Sequence, residues 1–176
     1  MVKSIKHWSV ATKVCDKEFN LTKFGKSLFG KKNSYDPYLE RVETLWLLHW
    51  MISSDETLTT WYYVFNYHQS IILNKETLSN DLISIGKFSK WKGMSPNTLK
   101  RDIDCFIRTY AFASKKGEIN EDSLECPLAE LGLINSTYTK GEYEIQRGPK
   151  LTLSDQIFEY ALNDYWSKQK NQIITF

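Results

Sequence analysis

The sequence predicts a mainly α-helical protein with one short β-hairpin, and three observations lead to this prediction. Apolar residues recur at spacings of three and four along most of the chain, which is the period of an amphipathic helix. Capping residues and helix-stopping glycines stand at the ends of these segments. Hydrophobic residues make up 41% of the 176-residue chain and aromatic residues 14%, so it can bury a core.

The first predicted helix begins at the start of the chain. Its apolar side chains recur at helical spacing at Val2, Ile5, Trp8 and Ala11. Residues 14–21 then favour a short hairpin or wing. Thr22 is a capping residue for the next predicted helix, which runs through Phe29 and is stopped by Gly30.

A buried helical hairpin is predicted in the middle of the chain. Asp36-Pro37 is a helix-start signal, with an acidic cap and proline in the first turn. The helix that it opens is apolar on nearly all sides between residues 45 and 52, with His49 as the polar interruption. The helical pattern resumes at residues 61–67. Because a helix that is apolar all round belongs in a core, these two segments are predicted to form the structural centre.

The third region is predicted to have helix-turn-helix character. Asn74 can cap a helix that has Gly86 near its end. After a basic connection, Ser95-Pro96 places a capping serine before proline at the first helical position. The apolar residues of the helix that follows are Leu99, Ile103, Phe106, Ile107 and Tyr110.

The remaining elements complete a winged-helix-like order. Residues 126–132 read as a short helix stopped by glycine, and residues 133–147 as a hairpin with its turn at Lys140-Gly141. Ser154 caps a last helix. We therefore predict a helical region with a partial helix-turn-helix at residues 1–73 and a winged-helix-like region at residues 74–170.

This order of elements predicts a surface for double-stranded DNA. In a helix-turn-helix the second helix enters the major groove with its N-terminal residues leading. The leading turn here carries Asn97, Thr98, Lys100 and Arg101. Lysine and arginine bond guanine or phosphate, and asparagine can bond adenine with two hydrogen bonds. Lys140 on the wing, and Lys3 and Lys6 on the first helix, are further candidates, although winged helices also serve as protein-docking modules.

The distribution of charge leaves two classes of partner open. The net charge of +2 predicts no partner by itself, but residues 1–32 hold eight lysines against two acidic residues. Residues 118–130 are the reverse, with five acidic residues and no basic one. Basic stretches can bind a polyanion locally. The acidic stretch favours the alternative, an adaptor that docks a partner enzyme without binding nucleic acid.

Catalytic and metal sites are not expected. The histidines His7, His49 and His68 stand far apart, and no Cys or His pair has ligand spacing, so neither a metal nor a cofactor is predicted. No nucleophile elbow and no phosphate-binding glycine loop is present. Cys126 beside Pro127 is a candidate nucleophile at a helix start, with a buried structural thiol as the alternative. We expect a binding protein and not an enzyme.

The sequence also indicates a soluble, cytoplasmic protein. Its cysteines are three in number and widely spaced, which is typical of free thiols in a reducing compartment. No apolar run approaches the roughly 18 residues that a membrane span requires. The first residues lack the apolar block of a signal peptide.

Several phrases in the chain, taken together, resemble a bacterial family of unknown function called DUF4007. In chain order they are Leu28-Phe29-Gly30, Asp36-Pro37-Tyr38-Leu39-Glu40, Thr44-Leu45-Trp46-Leu47-Leu48-His49-Trp50, Thr60-Trp61-Tyr62, Thr98-Leu99-Lys100-Arg101-Asp102 and Cys126-Pro127-Leu128-Ala129-Glu130-Leu131-Gly132-Leu133. Members of this family tend to be encoded near DNA phosphorothioation genes, so the resemblance implies a setting in DNA modification and phage defence. Members of this family extend beyond both ends of this chain. The resemblance therefore implies that the chain is shortened. It implies no catalytic residues.

Overall fold

The computed structural model of the protein describes residues 2–88, 95–112 and 126–168. The α-helices in these ranges are α1 (Val2–Ala11), α2 (Lys23–Phe29), α3 (Val42–Ser53), α4 (Thr59–Asn66), α5 (Lys75–Phe88), α6 (Pro96–Tyr110) and α7 (Asp155–Lys168). The strands are β1 (Ile72–Asn74), β2 (Ile134–Ser136) and β3 (Glu142–Ile145), and a 3₁₀ helix spans Pro127–Leu131. The prediction of a mainly helical protein is confirmed, and its small antiparallel sheet has one strand more than the predicted hairpin.

The chain forms two compact units. One consists of Met1–Ser54 together with Pro149–Phe176, and the other of Asp55–Gly148. These bounds differ from the ranges 1–73 and 74–170 expected from the sequence. The reason lies in the packing of the two most apolar helices: α3 packs against α7 in the first unit, whereas α4 packs against α6 in the second. Helices α3 and α4 thus belong to different units, and their predicted pairing as one helical hairpin stays a prediction.

The first unit begins with α1, a tight turn and α2. The Thr22 side chain accepts a hydrogen bond from the Gly25 N–H at 3.0 Å, so its predicted role as the cap of α2 is confirmed. Its hydroxyl also donates to the Lys13 carbonyl at 2.6 Å, which ties the start of α2 to the end of the preceding segment. The hairpin expected at residues 14–21 is a turn closed by a single bridge between Cys15 and Leu21.

Asp36 does not open α3, contrary to the prediction. The helix begins at Val42, and Asp36 is only 3% exposed. The Asp36 carboxylate accepts the backbone N–H groups of Glu40 at 2.9 Å and Arg41 at 3.0 Å. Burial alone would raise its pKa, but the nearby polar side chain of Thr44, the hydrogen bonds from these two amides and the charge of Arg41 outweigh burial and lower the pKa. Asp36 thus stabilises the turn that leads into α3.

In its described residues, the second unit combines three α-helices and the 3₁₀ helix with the sheet. Its strands pair in the order β1-β3-β2, and both pairs are antiparallel. The Asn74 side-chain oxygen accepts the N–H groups of Glu76 at 2.9 Å and Thr77 at 3.3 Å, which confirms its predicted role as the cap of α5. Strand β1 was not predicted. Its sequence is short and ends in Asn74, the capping residue of α5, so the sequence predicts a helix start there and not a strand.

Candidate nucleic-acid interface

The leading turn of α6 is the best-formed candidate interface. The Ser95 hydroxyl caps the helix by accepting the Thr98 N–H at 3.2 Å, and Pro96 occupies the first helical position. The four residues predicted to face DNA all have exposed side chains here: Asn97, Thr98, Lys100 and Arg101. The structure therefore brings these four predicted residues together at one exposed helix end.

The opposite side of α6 is embedded in the second unit. Its buried apolar residues are those expected from the sequence: Leu99, Ile103, Phe106, Ile107 and Tyr110. The Trp61 ring of α4 meets the Phe106 ring edge-on, with centroids 5.5 Å apart. Helix α6 also packs against α5, β2 and the 3₁₀ helix. Because several elements pack against this buried face, the exposed turn has a fixed orientation within the second unit.

The acidic side chains of α6 bond to neighbouring residues of the unit, whereas the basic side chains of its leading turn are exposed. The Asp102 carboxylate accepts a hydrogen bond from the buried Thr60 hydroxyl. Asp104 forms an ion pair with Lys75, at 2.6 Å between the charged atoms. Neither of the two ion pairs between described residues includes Lys100 or Arg101. The carboxylates are thus engaged within the unit, while the cations of the leading turn face solvent.

The hairpin of β2 and β3 carries Lys140 on its exposed connection. The Thr137 hydroxyl donates to the carbonyls of Thr139 and Glu142, and Gly141 adopts a left-handed backbone with φ 85°. These interactions shape the connection. The fully exposed Tyr138 lies two residues before Lys140 on the same connection.

Lys3 and Lys6 belong to the first unit, whereas the other five predicted residues belong to the second. Both lysines are exposed on α1. The Lys6 ammonium lies over the Phe19 ring, 4.5 Å from its centroid. The structure therefore separates the predicted DNA-binding residues into two groups, one on each unit.

The candidate nucleophile Cys126 lacks the environment of a reactive thiol. Burial raises its pKa, and the nearby Cys105 adds to this effect, which together outweigh a hydrogen bond from the Leu128 N–H. The thiol therefore stays protonated at neutral pH. Among the described residues, no three His, Cys, Asp or Glu side chains group as a metal site would require.

Two further sequence predictions concern the acidic stretch and membrane-spanning segments. Most of the acidic stretch that favours the adaptor alternative, residues 118–125, lies outside the described residues. Its last acidic residue, Glu130, is described and is exposed. Within the ranges that the structure covers, every helix is too short or too polar to cross a membrane.

Comparison with known proteins matches the chain to one family model and to solved structures. The family model described as "Protein of unknown function (DUF4007)" matches residues 1–176. A solved SspB structure matches with a TM-score of 0.77 and 27% identity over 96% of this chain, and a magnesium ion-bound SspB structure with 0.77 and 26% over 94%. The chain spans 53% of each of those proteins, about half of their length. No functionally curated protein matches.

Proposed function

We propose that this chain, which belongs to the DUF4007 family, binds double-stranded DNA as an accessory protein of a bacterial DNA-modification or phage-defence system. One observation carries the proposal: α6 is clamped on its apolar side and exposes a capped, polar and cationic turn on the other. An exposed turn with unneutralised cations attracts phosphate, and the partial positive charge of a helix N-terminus adds to this attraction.

The connectivity of the second unit supports a winged-helix assignment. Its described elements follow the order α4, β1, α5, α6, the 3₁₀ helix, β2 and β3, and β3 pairs between the other two strands. In this arrangement α5 and α6 form the helix-turn-helix, and the β2–β3 hairpin forms the wing. Helix α6 then occupies the position of the recognition helix, whose N-terminal residues contact base edges.

Four exposed side chains have defined roles in this proposal. Asn97 is suited to hydrogen-bond an adenine edge, and Arg101 a guanine edge or a phosphate. Lys100 neutralises phosphate, and Lys140 on the wing contacts the backbone of the duplex. Such an assignment gives a moderate number of phosphate contacts, so affinity depends strongly on salt.

The role that we assign to this chain is binding without catalysis, in the cytoplasm. The matched SspB structures extend over about twice the length of this chain, and one of them holds magnesium. Chemical change of the DNA by this chain in the presence of magnesium would contradict a purely binding role. Plasmid DNA incubated with the chain and Mg²⁺ is expected to keep its original topology on a gel.

The experiment for the DNA site compares two variants by fluorescence anisotropy with a labelled duplex. Lys100→Ala combined with Arg101→Ala removes both cations of the leading turn, and we expect at least about a tenfold loss of affinity, since each good contact contributes about 1–3 kcal/mol. Arg108→Ala is the matched control, because it removes an exposed cation from the last turn of the same helix. Equal affinities for the double variant and the unmodified chain would refute the site.

A further inference from the structure

A second basic surface lies at the start of the first unit. We call it the N-terminal basic surface; all of its members are exposed: Lys3, Lys6, Lys13, Lys17, Lys23, Lys26, Lys31 and Lys32. Two acidic residues stand among these eight lysines, and the side chain of one, Asp16, accepts the Asn20 N–H at 2.8 Å. No ion pair between described residues includes any of these lysines. The first 32 residues therefore carry an excess of exposed positive charge.

An exposed phenylalanine stands within this surface. Phe19 lies in the turn that the bridge between Cys15 and Leu21 closes, and its N–H donates to the Asp16 carbonyl at 3.0 Å. Its side chain is 46% exposed, and its backbone has φ 65°. Bulky residues rarely adopt this left-handed conformation, because Cβ crowds the backbone.

The turn is built on a rigid base. The Thr22 hydroxyl donates to Lys13 carbonyl oxygen, and the Thr22 N–H donates to the Val14 carbonyl at 3.0 Å. Gly25 approaches the same segment so closely that a Cβ there would lie 2.1 Å from the Val14 oxygen. Helix α2 therefore packs directly against the base of the turn that carries Phe19.

Packing of the Phe19 side chain contributes little stability to offset its backbone strain. Its ring is half exposed and lies under the Lys6 ammonium, which is itself exposed. Glycine would adopt the same backbone without crowding. A strained residue that a rigid frame holds at the surface is a feature of binding sites. An apolar ring among lysines matches a nucleic acid, in which phosphates flank the faces of stacked bases.

We propose that the N-terminal basic surface is a second contact to duplex DNA, in which Phe19 wedges against a flexible base step while the lysines neutralise the flanking phosphates. This inference rests on the proposed DNA-binding function and adds a site on the other unit. Proteins that insert an apolar side chain between base steps partly unstack and bend the duplex. The energetic cost is smallest at pyrimidine–purine steps such as TA.

The test uses the full chain and a duplex with 2-aminopurine beside a central TA step, because unstacking raises the fluorescence of this base. We expect the unmodified chain to raise the fluorescence at saturation. Phe19→Gly is expected to abolish the rise and weaken binding at least about fivefold, as loss of one base stack of about 1–3 kcal/mol predicts. Because glycine relieves the backbone strain, the melting temperature of this variant should not fall. Tyr38→Ala, which removes another exposed aromatic residue of the same unit, is the matched control and should change neither signal.

The outcomes separate this inference from the proposed function. If the chain binds the duplex and Lys100→Ala with Arg101→Ala weakens binding, but Phe19→Gly leaves the aminopurine signal unchanged, the second contact alone is refuted. If the unmodified chain binds no duplex at low salt, both proposals fall. A lower melting temperature for Phe19→Gly, with unchanged DNA binding, would overturn the inference by assigning Phe19 a purely structural role. Lys3→Ala with Lys6→Ala should reduce the salt slope by roughly 2, since each lost phosphate contact removes about 0.9.

Discussion

Acidification should destabilise the first unit through His49 before it protonates most carboxylates. Burial, followed by the positive charge of Lys150, lowers the pKa of His49 from 6.5 to about 3. Between these two pH values the unfolded chain binds a proton that the native protein excludes, so stability is present above pH 6.5 and is lost as the pH falls toward 3. From pH 7 to 4.5 the loss spans about two pH units at 1.36 kcal/mol each, or about 2–3 kcal/mol.

Urea unfolding at pH 7 and pH 4.5, followed by tryptophan fluorescence, measures this loss. His49→Gln is the matched variant, because glutamine keeps polar atoms at the site and does not titrate. We expect the unmodified protein to lose about 2–3 kcal/mol more than the variant over this interval. Asp36 and Asp164, whose pKa values are also lowered, titrate in both proteins and cancel in the comparison. Equal losses for the two proteins would refute the assignment of a partly buried histidine that stays neutral in the folded protein.

Three substitutions test the local structure by thermal unfolding. Gly25→Ala should destabilise the protein by about 1–3 kcal/mol, because the new Cβ would lie 2.1 Å from a backbone oxygen; Gly86→Ala, with open space around its Cβ, is the control and should be neutral or slightly stabilising. Asp36→Asn should cost about 1–3 kcal/mol, since the charged acceptor of two backbone amides is lost, and an unchanged melting temperature would contradict its role in the turn before α3. Ser95→Ala should cost about 0.5–2 kcal/mol through loss of the α6 cap, whereas Ser95→Gly should cost only a few tenths.

The sequence was most informative where local chemistry alone decides the structure. Ser95-Pro96 and Thr22 carry their own capping partners within three residues, so the starts of α6 and α2 could be predicted. The buried and exposed sides of α6 also follow directly from the 3.6-residue period, which places the apolar residues and the candidate DNA-binding residues on different sides.

Features that depend on distant packing could not be predicted. The apolar patterns of α3 and α4 show that both helices are buried, but a pattern does not name the partner, and each helix packs in a different unit. Asp36 has the residue type of a helix cap, yet it lies six residues before the first residue of α3, and its carboxylate binds the backbone of the turn that leads into the helix. Strand β1 depends on its pairing with β3, about 70 residues further along the chain. The strained backbone of Phe19 leaves no signal in the sequence at all.

The central claim, that this chain binds duplex DNA through exposed cations, is tested most directly by the salt dependence of its affinity. The measurement is anisotropy of a labelled duplex between about 50 and 200 mM salt, a range over which counterion release changes affinity steeply. Lys100, Arg101 and Lys140 predict a slope of log affinity against log salt of roughly −2.7, and contacts from the N-terminal basic surface would make it steeper. A slope near zero, or no binding at the lowest salt, would contradict the account.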